Sequence, residues 1–121
     1  MIIACQRIAV IDGDGLRCGR VEVRLLGIEA PDYRSSRPCR GGFGDHRCDD
    51  SGARLAKEQL RQGLRLGPVR IETVGRDRYG RLLALAYAGS VNLNCRQLRV
   101  AGVRYVARYD NGGRVARACG R

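Results

Sequence analysis

Six cysteines, Cys5, Cys18, Cys39, Cys48, Cys95 and Cys119, constrain this chain more than any other feature. An even number in a small basic domain reads as a disulfide framework, for which fifteen pairings are formally possible. Metal ligation is the rival use of cysteine, and it fits badly. There is no Cys-x-x-Cys pair and the single histidine is His46, so zinc-type spacing is absent. Disulfides persist in oxidising compartments, which predicts a secreted or periplasmic protein. The opening Met1-Ile2-Ile3-Ala4-Cys5 lacks the basic and apolar regions of an export signal, so such a signal is expected to have been removed from this sequence.

A length of 121 residues predicts one domain able to bury a core. With aromatics at 5% and no Trp, that core must come from Leu, Ile, Val and Ala. The formal net charge is +11, which points to a polyanionic partner such as nucleic acid. Almost every basic residue is Arg, however, and Lys57 is the only Lys, a bias that a GC-rich genome produces with no function attached. Charge alone therefore does not decide between a functional and an incidental surface. No run of about 18 apolar residues exists, so no membrane partner is expected.

Residues Ile2 to Ile11 read as a strand with Gln6-Arg7 in its middle, and Asp12-Gly13-Asp14-Gly15 supplies two successive turn signals. Leu16 to Leu26 resumes as strand around a turn at Cys18-Gly19-Arg20. Val21, Val23 and Leu25 alternate with Glu22, Arg24 and Leu26, so one face is buried. A loop from Pro31 to Asp50 follows, then a helix that starts at Asp49-Asp50-Ser51, buries Ala53, Ala56 and Leu60, and ends at Gly63. Val69 to Val74 and Leu82 to Tyr87 are two further strands around a turn with three guanidinium groups. Val91 to Ala101 reads as a short helix ended by Gly102, and Val103 to Tyr109 as a last extended piece. The order predicts a mainly β fold with some helix: a five-stranded OB-fold barrel, helices after strands 3 and 5, stapled by disulfides. One domain spans residues 1–121, with 113–121 as a basic C-terminal tail.

Acidic residues fall where this chain turns: Asp12 and Asp14 in the first hairpin, Glu29 and Asp32 after the third strand. Carboxylates from adjacent loops suit a hard cation such as calcium, which takes several oxygen ligands. Arg24 and Arg81 suit a phosphate, because the planar guanidinium donates two parallel hydrogen bonds. Each piece alone has a plainer reading. Asp-Gly in a hairpin is usually only a turn, and Arg on a strand is usually a solvated residue. Tyr79, Tyr87, Tyr105 and Tyr109 serve packing as readily as base stacking. His46 reads as an exposed loop residue with no assigned role.

Taken together, three blocks resemble the staphylococcal-nuclease (thermonuclease) family. They are Val10-Ile11-Asp12-Gly13-Asp14, then Val23-Arg24-Leu25-Leu26-Gly27-Ile28-Glu29-Ala30-Pro31-Asp32, then Asp77-Arg78-Tyr79-Gly80-Arg81. The likeness runs from about Cys5 to Tyr109, and its cysteines are similar to those of exported bacterial members. It implies the pairs Cys5–Cys18, Cys39–Cys48 and Cys95–Cys119. It further implies a monomeric, calcium-dependent endonuclease acting on DNA and/or RNA with low sequence specificity. Asp14 and Glu29, helped by the Ala30 carbonyl, would bind one Ca²⁺. Asp32 would be the general base, Arg24 and Arg81 would hold the scissile phosphate, and Arg78 and Tyr79 a neighbouring one.

Two departures bear on that expectation. The family commonly has Asp at the second metal position and Glu at the base position, whereas Glu29 and Asp32 exchange them. Each reach changes by about one C–C bond, near 1.5 Å, and a misplacement of about 1 Å can cost on the order of a hundredfold. Gly15 also replaces a Thr common after Asp-Gly-Asp. The alternative reading is a catalytically degenerate module that binds nucleic acid or other polyanions without cleavage.

Overall fold

The computed structural model describes residues 1–40 and 47–120; His46 and Arg121, the last residue of the basic tail, lie outside them. The first extended segment is one path bent once. β1 (Ile2–Cys5) and β2 (Ile8–Asp12) are separated by Gln6-Arg7, the polar pair that interrupts the apolar run. β3 (Gly15–Cys18) and β4 (Val21–Leu25) complete the predicted antiparallel meander. A short β5 (Ile28–Glu29) leads through α1 (Arg37–Arg40) to α2 (Asp50–Gly63). The hairpin of β6 (Val69–Arg76) and β7 (Leu82–Ala88) follows, then β8 (Val91–Asn92), α3 (Leu93–Gln97), β9 (Arg104–Tyr105) and α4 (Arg114–Cys119).

The main sheet runs β1-β6-β7-β4-β3-β2, with β8 added on β7. Its one parallel contact among the described residues is β4 with β7, from Val23 opposite Leu82 to Leu25 opposite Ala84. β1 and β2 occupy opposite edges although only Gln6 and Arg7 separate them. In a flat sheet those edges would stand roughly 24 Å apart, further than so short a link reaches. The sheet therefore curls. The disulfide Cys5–Cys18, with Cα atoms 5.6 Å apart, ties β1 to β3 across the resulting seam.

Leu16, Val23, Leu25, Ile28, Leu60 and Ile71 fill the interior, an aliphatic core as composition requires. Helix α2 buries Ala53, Ala56 and Leu60, the face its periodicity predicts. It packs hard against the first hairpin: a Cβ on Gly13 would fall 2.7 Å from the Ala30 Cβ and overlap Ala56. Two fully buried amides of α3 tie these layers together. Asn94 accepts the Ala86 N–H at 2.9 Å and donates to the Leu26 and Ala84 carbonyls at 3.0 and 3.1 Å. Gln97 Nε2 donates to the Gly13 and Ala56 carbonyls at 2.7 and 3.0 Å.

The C-terminal third differs from its expected form. Val91–Asn92 is strand, paired with β7, and the helix is only Leu93–Gln97, capped by Asn92 accepting the Cys95 N–H at 3.1 Å. Only Arg104–Tyr105 of the last extended piece is strand, and it pairs with β5 rather than the main sheet. Most of the basic C-terminal tail is helical among the described residues. Arg114–Cys119 is helical with Val115 fully buried, because Asp110 accepts the Val115 and Ala116 N–H groups at 2.8 and 2.9 Å and the Tyr105 hydroxyl at 2.7 Å.

The other disulfides are Cys39–Cys48, which closes the long loop, and Cys95–Cys119, which joins α3 to α4. These are the pairs the resemblance implies. Three disulfides fit an oxidising, non-cytoplasmic setting. Among the described residues no helix is long and apolar enough to cross a membrane.

Candidate functional site: a groove of carboxylates and arginines

The bent first strand, its hairpin and the loop after β4 meet along one open groove of about 1230 Å³. Asp14, Arg24, Glu29, Ala30, Asp32, Arg78, Tyr79 and Arg81 all line it. Three sequence blocks that stand far apart along the chain are thus brought to one surface. Asp12, Arg20, Glu22, Asp77, Arg108 and Tyr109 also line it. Among the described residues, six carboxyl groups accordingly face five guanidinium groups. The groove is close to charge balance, so the surplus of the +11 chain lies elsewhere on its surface.

Asp14 is anchored through both carboxylate oxygens. It is buried, its Oδ2 accepts the Ala30 N–H at 2.9 Å, and its Oδ1 lies 3.5 Å from Arg24 Nη1. That bond fastens the first hairpin to the loop after β5. Arg24 is held in turn by donation from Nη2 to the Ile28 carbonyl at 3.2 Å, with its guanidinium 5.0 Å from the Tyr109 ring centre. Asp12 accepts the Asp14 N–H at 3.3 Å. Its carboxyl is pushed up to about 8, first by burial and then by the neighbouring Asp14 charge, with Arg24 opposing.

The third block forms a self-contained turn. Asp77 Oδ1 accepts the N–H groups of Tyr79 and Arg81, each at 2.9 Å, and Oδ2 accepts Arg81 Nε at 2.7 Å. Burial pushes the Asp77 carboxyl up, but these Arg81 and Tyr79 donors outweigh it and hold the group below its ordinary value. Gly80, at φ +84°, closes the turn in a conformation that a side chain would strain. Tyr79 projects outward at 70% exposure, with Arg78 and Arg81 at 5.1 and 5.7 Å from its ring centre.

Glu29 and Asp32 follow a different plan. Asp32 is fixed by its backbone, which bridges to Cys48, the N–H donating to the Arg47 carbonyl at 2.8 Å. Glu29 lies opposite Arg104 across the β5–β9 pair. Arg104 donates to Glu29 Oε2 from Nε at 3.2 Å and Nη2 at 2.8 Å. Seventy-five residues separate the two, and no local signal in the sequence points to this partner. Arg108 and Tyr109 enter the groove from the same C-terminal segment, and Arg108 lies 4.9 Å from the Tyr109 ring centre.

The donors offer a hard cation the right chemistry, oxygen throughout, but two of them already meet arginines. Among the described residues, no three His, Cys, Asp or Glu side chains gather closely enough to hold a metal ion. A cation here would rest on two carboxylates, main-chain oxygen and water, which calcium accepts. No family model matches the chain, and no curated protein matches it.

Proposed function

We propose that the protein is an exported, calcium-dependent nuclease that hydrolyses phosphodiester bonds of DNA and/or RNA with low sequence specificity. The observation that supports this most is the convergence of Asp14, Glu29, Asp32, Arg24 and Arg81 on one groove open enough for a nucleic-acid strand. The order of the curled sheet supports an OB-fold. With β1 and β2 counted as one bent strand, the five strands close as first, second, third, fifth, fourth, with α2 between the third and fourth.

In this reading Arg24 and Arg81 grip the scissile phosphate and offset the charge that grows on it during in-line attack. Asp77 positions Arg81 through Nε, so the guanidinium meets the phosphate already oriented. Asp32 accepts a proton from the attacking water, while Tyr79 and Arg78 hold the adjoining phosphate. Calcium, when held by Asp14, Glu29 and the Ala30 carbonyl, supplies Lewis-acid neutralisation of the phosphate.

The test is digestion of DNA and RNA by oxidised protein, with calcium against chelator. Calcium raises cleavage, and Arg81→Ala lowers it on the order of a hundredfold or more with the melting transition retained. Intact nucleic acid in the presence of calcium, with Arg81→Ala indistinguishable from the parent, overturns the enzyme reading. The hold of Arg104 on Glu29 favours one second reading, a barrel that binds nucleic acid without cleaving it. It would show binding that weakens steeply with salt and no products.

A further inference from the structure

Of the guanidinium groups near the carboxylates, Arg104 is set apart by where it stands. Arg24 lines the groove and faces whatever enters it, whereas Glu29 lines the groove and Arg104 does not. Arg104 approaches from β9, and both of its hydrogen bonds go to a single oxygen, Glu29 Oε2. Backbone pairing sets the two residues directly opposite each other, so the contact is built into the fold. Glu29 is the more enclosed partner, its side chain 12% exposed against 40% for Arg104.

We infer that Arg104 is a built-in counter-ion for Glu29 that competes with calcium and sets the affinity of the site low. The inference rests on the reading of Glu29 as a cation ligand. A divalent ion draws on the same negative charge and the same oxygen lone pairs that Arg104 engages. It must also enter against a guanidinium only one carboxylate away, which repels it. The site therefore fills only where calcium is abundant, at roughly 10⁻⁴–10⁻³ M, the range of extracellular calcium modules. This agrees with a chain held by three disulfides. Competition from Arg104 for the Glu29 carboxylate thus makes nucleolysis conditional on the calcium supply of the compartment.

Calorimetric titration of calcium into oxidised protein tests this, with Arg104→Met and Arg104→Gln removing the charge and Arg104→Lys retaining it. The two neutral variants bind calcium about three- to tenfold more tightly than the parent, whereas Arg104→Lys stays near it. Far-UV circular dichroism and melting curves establish folding, and either neutral variant suffices if the other does not fold. A purely structural Arg104 would lower the melting temperature and leave calcium affinity unchanged. Parent protein that binds calcium, with neutral variants equal or weaker, overturns the counter-ion role while the cation reading stands. No calcium binding by the parent or by the neutral variants overturns both.

Discussion

Two parts of the groove are built on opposite plans. The Asp77–Arg81 turn assembles its share within five consecutive residues, one carboxylate organising two backbone N–H groups and the guanidinium that the proposed chemistry needs. The wall made by β5, β9 and the segment that carries Tyr109 joins residues as distant as Glu29 and Arg104. That wall stays in place through Asp110, which bonds Tyr105 on one side and α4 on the other, and through Cys95–Cys119. A local unit loses little when distant packing fails. The nonlocal wall depends on a short list of anchors, each of which can be removed.

The strongest way to break the comparison is Asp110→Ala. It strands the buried Val115 N–H and the part-buried Ala116 N–H, takes away the acceptor at 2.7 Å from the Tyr105 hydroxyl, and should cost about 3 kcal/mol in urea unfolding. Amide exchange should then speed up across residues 104–116 while the Tyr79 and Arg81 amides keep their protection. Replacing Cys95 and Cys119 together by Ala should cost about 3 kcal/mol, as expected for a separation of 24 residues, with the same regional pattern. Equal acceleration in both regions would show that they form one cooperative unit.

Acid gives a gentler probe. The Asp110 carboxyl is pushed up by burial, but the Val115, Tyr105 and Ala116 donors outweigh this and hold it below its ordinary value. The folded state therefore binds that proton less readily than the unfolded chain. Its stabilisation is present above the unfolded value near 3.8 and is lost as pH falls through the lower folded one. Stability curves of the parent and Asp110→Asn should converge on acidification below about pH 4 and separate above it. Asp77→Ala should cost about 1–2 kcal/mol, with faster exchange confined to the turn and a loss of nucleolysis that tracks the loosening of Arg81. At the small end, Arg61→Ala on the exposed face of α2 breaks a surface pair with Glu58 and should change stability by under about 0.5 kcal/mol.

Much of the frame was legible without coordinates, for reasons that differ by element. The first meander announces itself through alternation and two Asp-Gly signals, and α2 through Ala53, Ala56 and Leu60 at helical spacing. The Asp77 turn is encoded in five adjacent letters. The C-terminal elements are less legible because their determinants are distant. Arg114–Cys119 has no capping residue beside it and depends on Asp110 reaching forward, while Val91–Asn92 is strand because β7 offers an edge. Asn94 and Gln97 read as ordinary helix residues until the backbone carbonyls they satisfy lie next to them.

By itself, then, the sequence determined the local conformations of the first meander, α2 and the Asp77 turn, the aliphatic character of the core, and a cysteine set suited to oxidised staples. Turn chemistry and hydrophobic period act over a few residues and need no partner. Only the tertiary structure decided that one bent strand supplies both edges of the sheet, that three blocks share a groove, and that Arg104 pairs with Glu29. Those outcomes depend on how the chain closes on itself, because a charge acts on whatever folding brings within a few ångströms, irrespective of its distance in sequence.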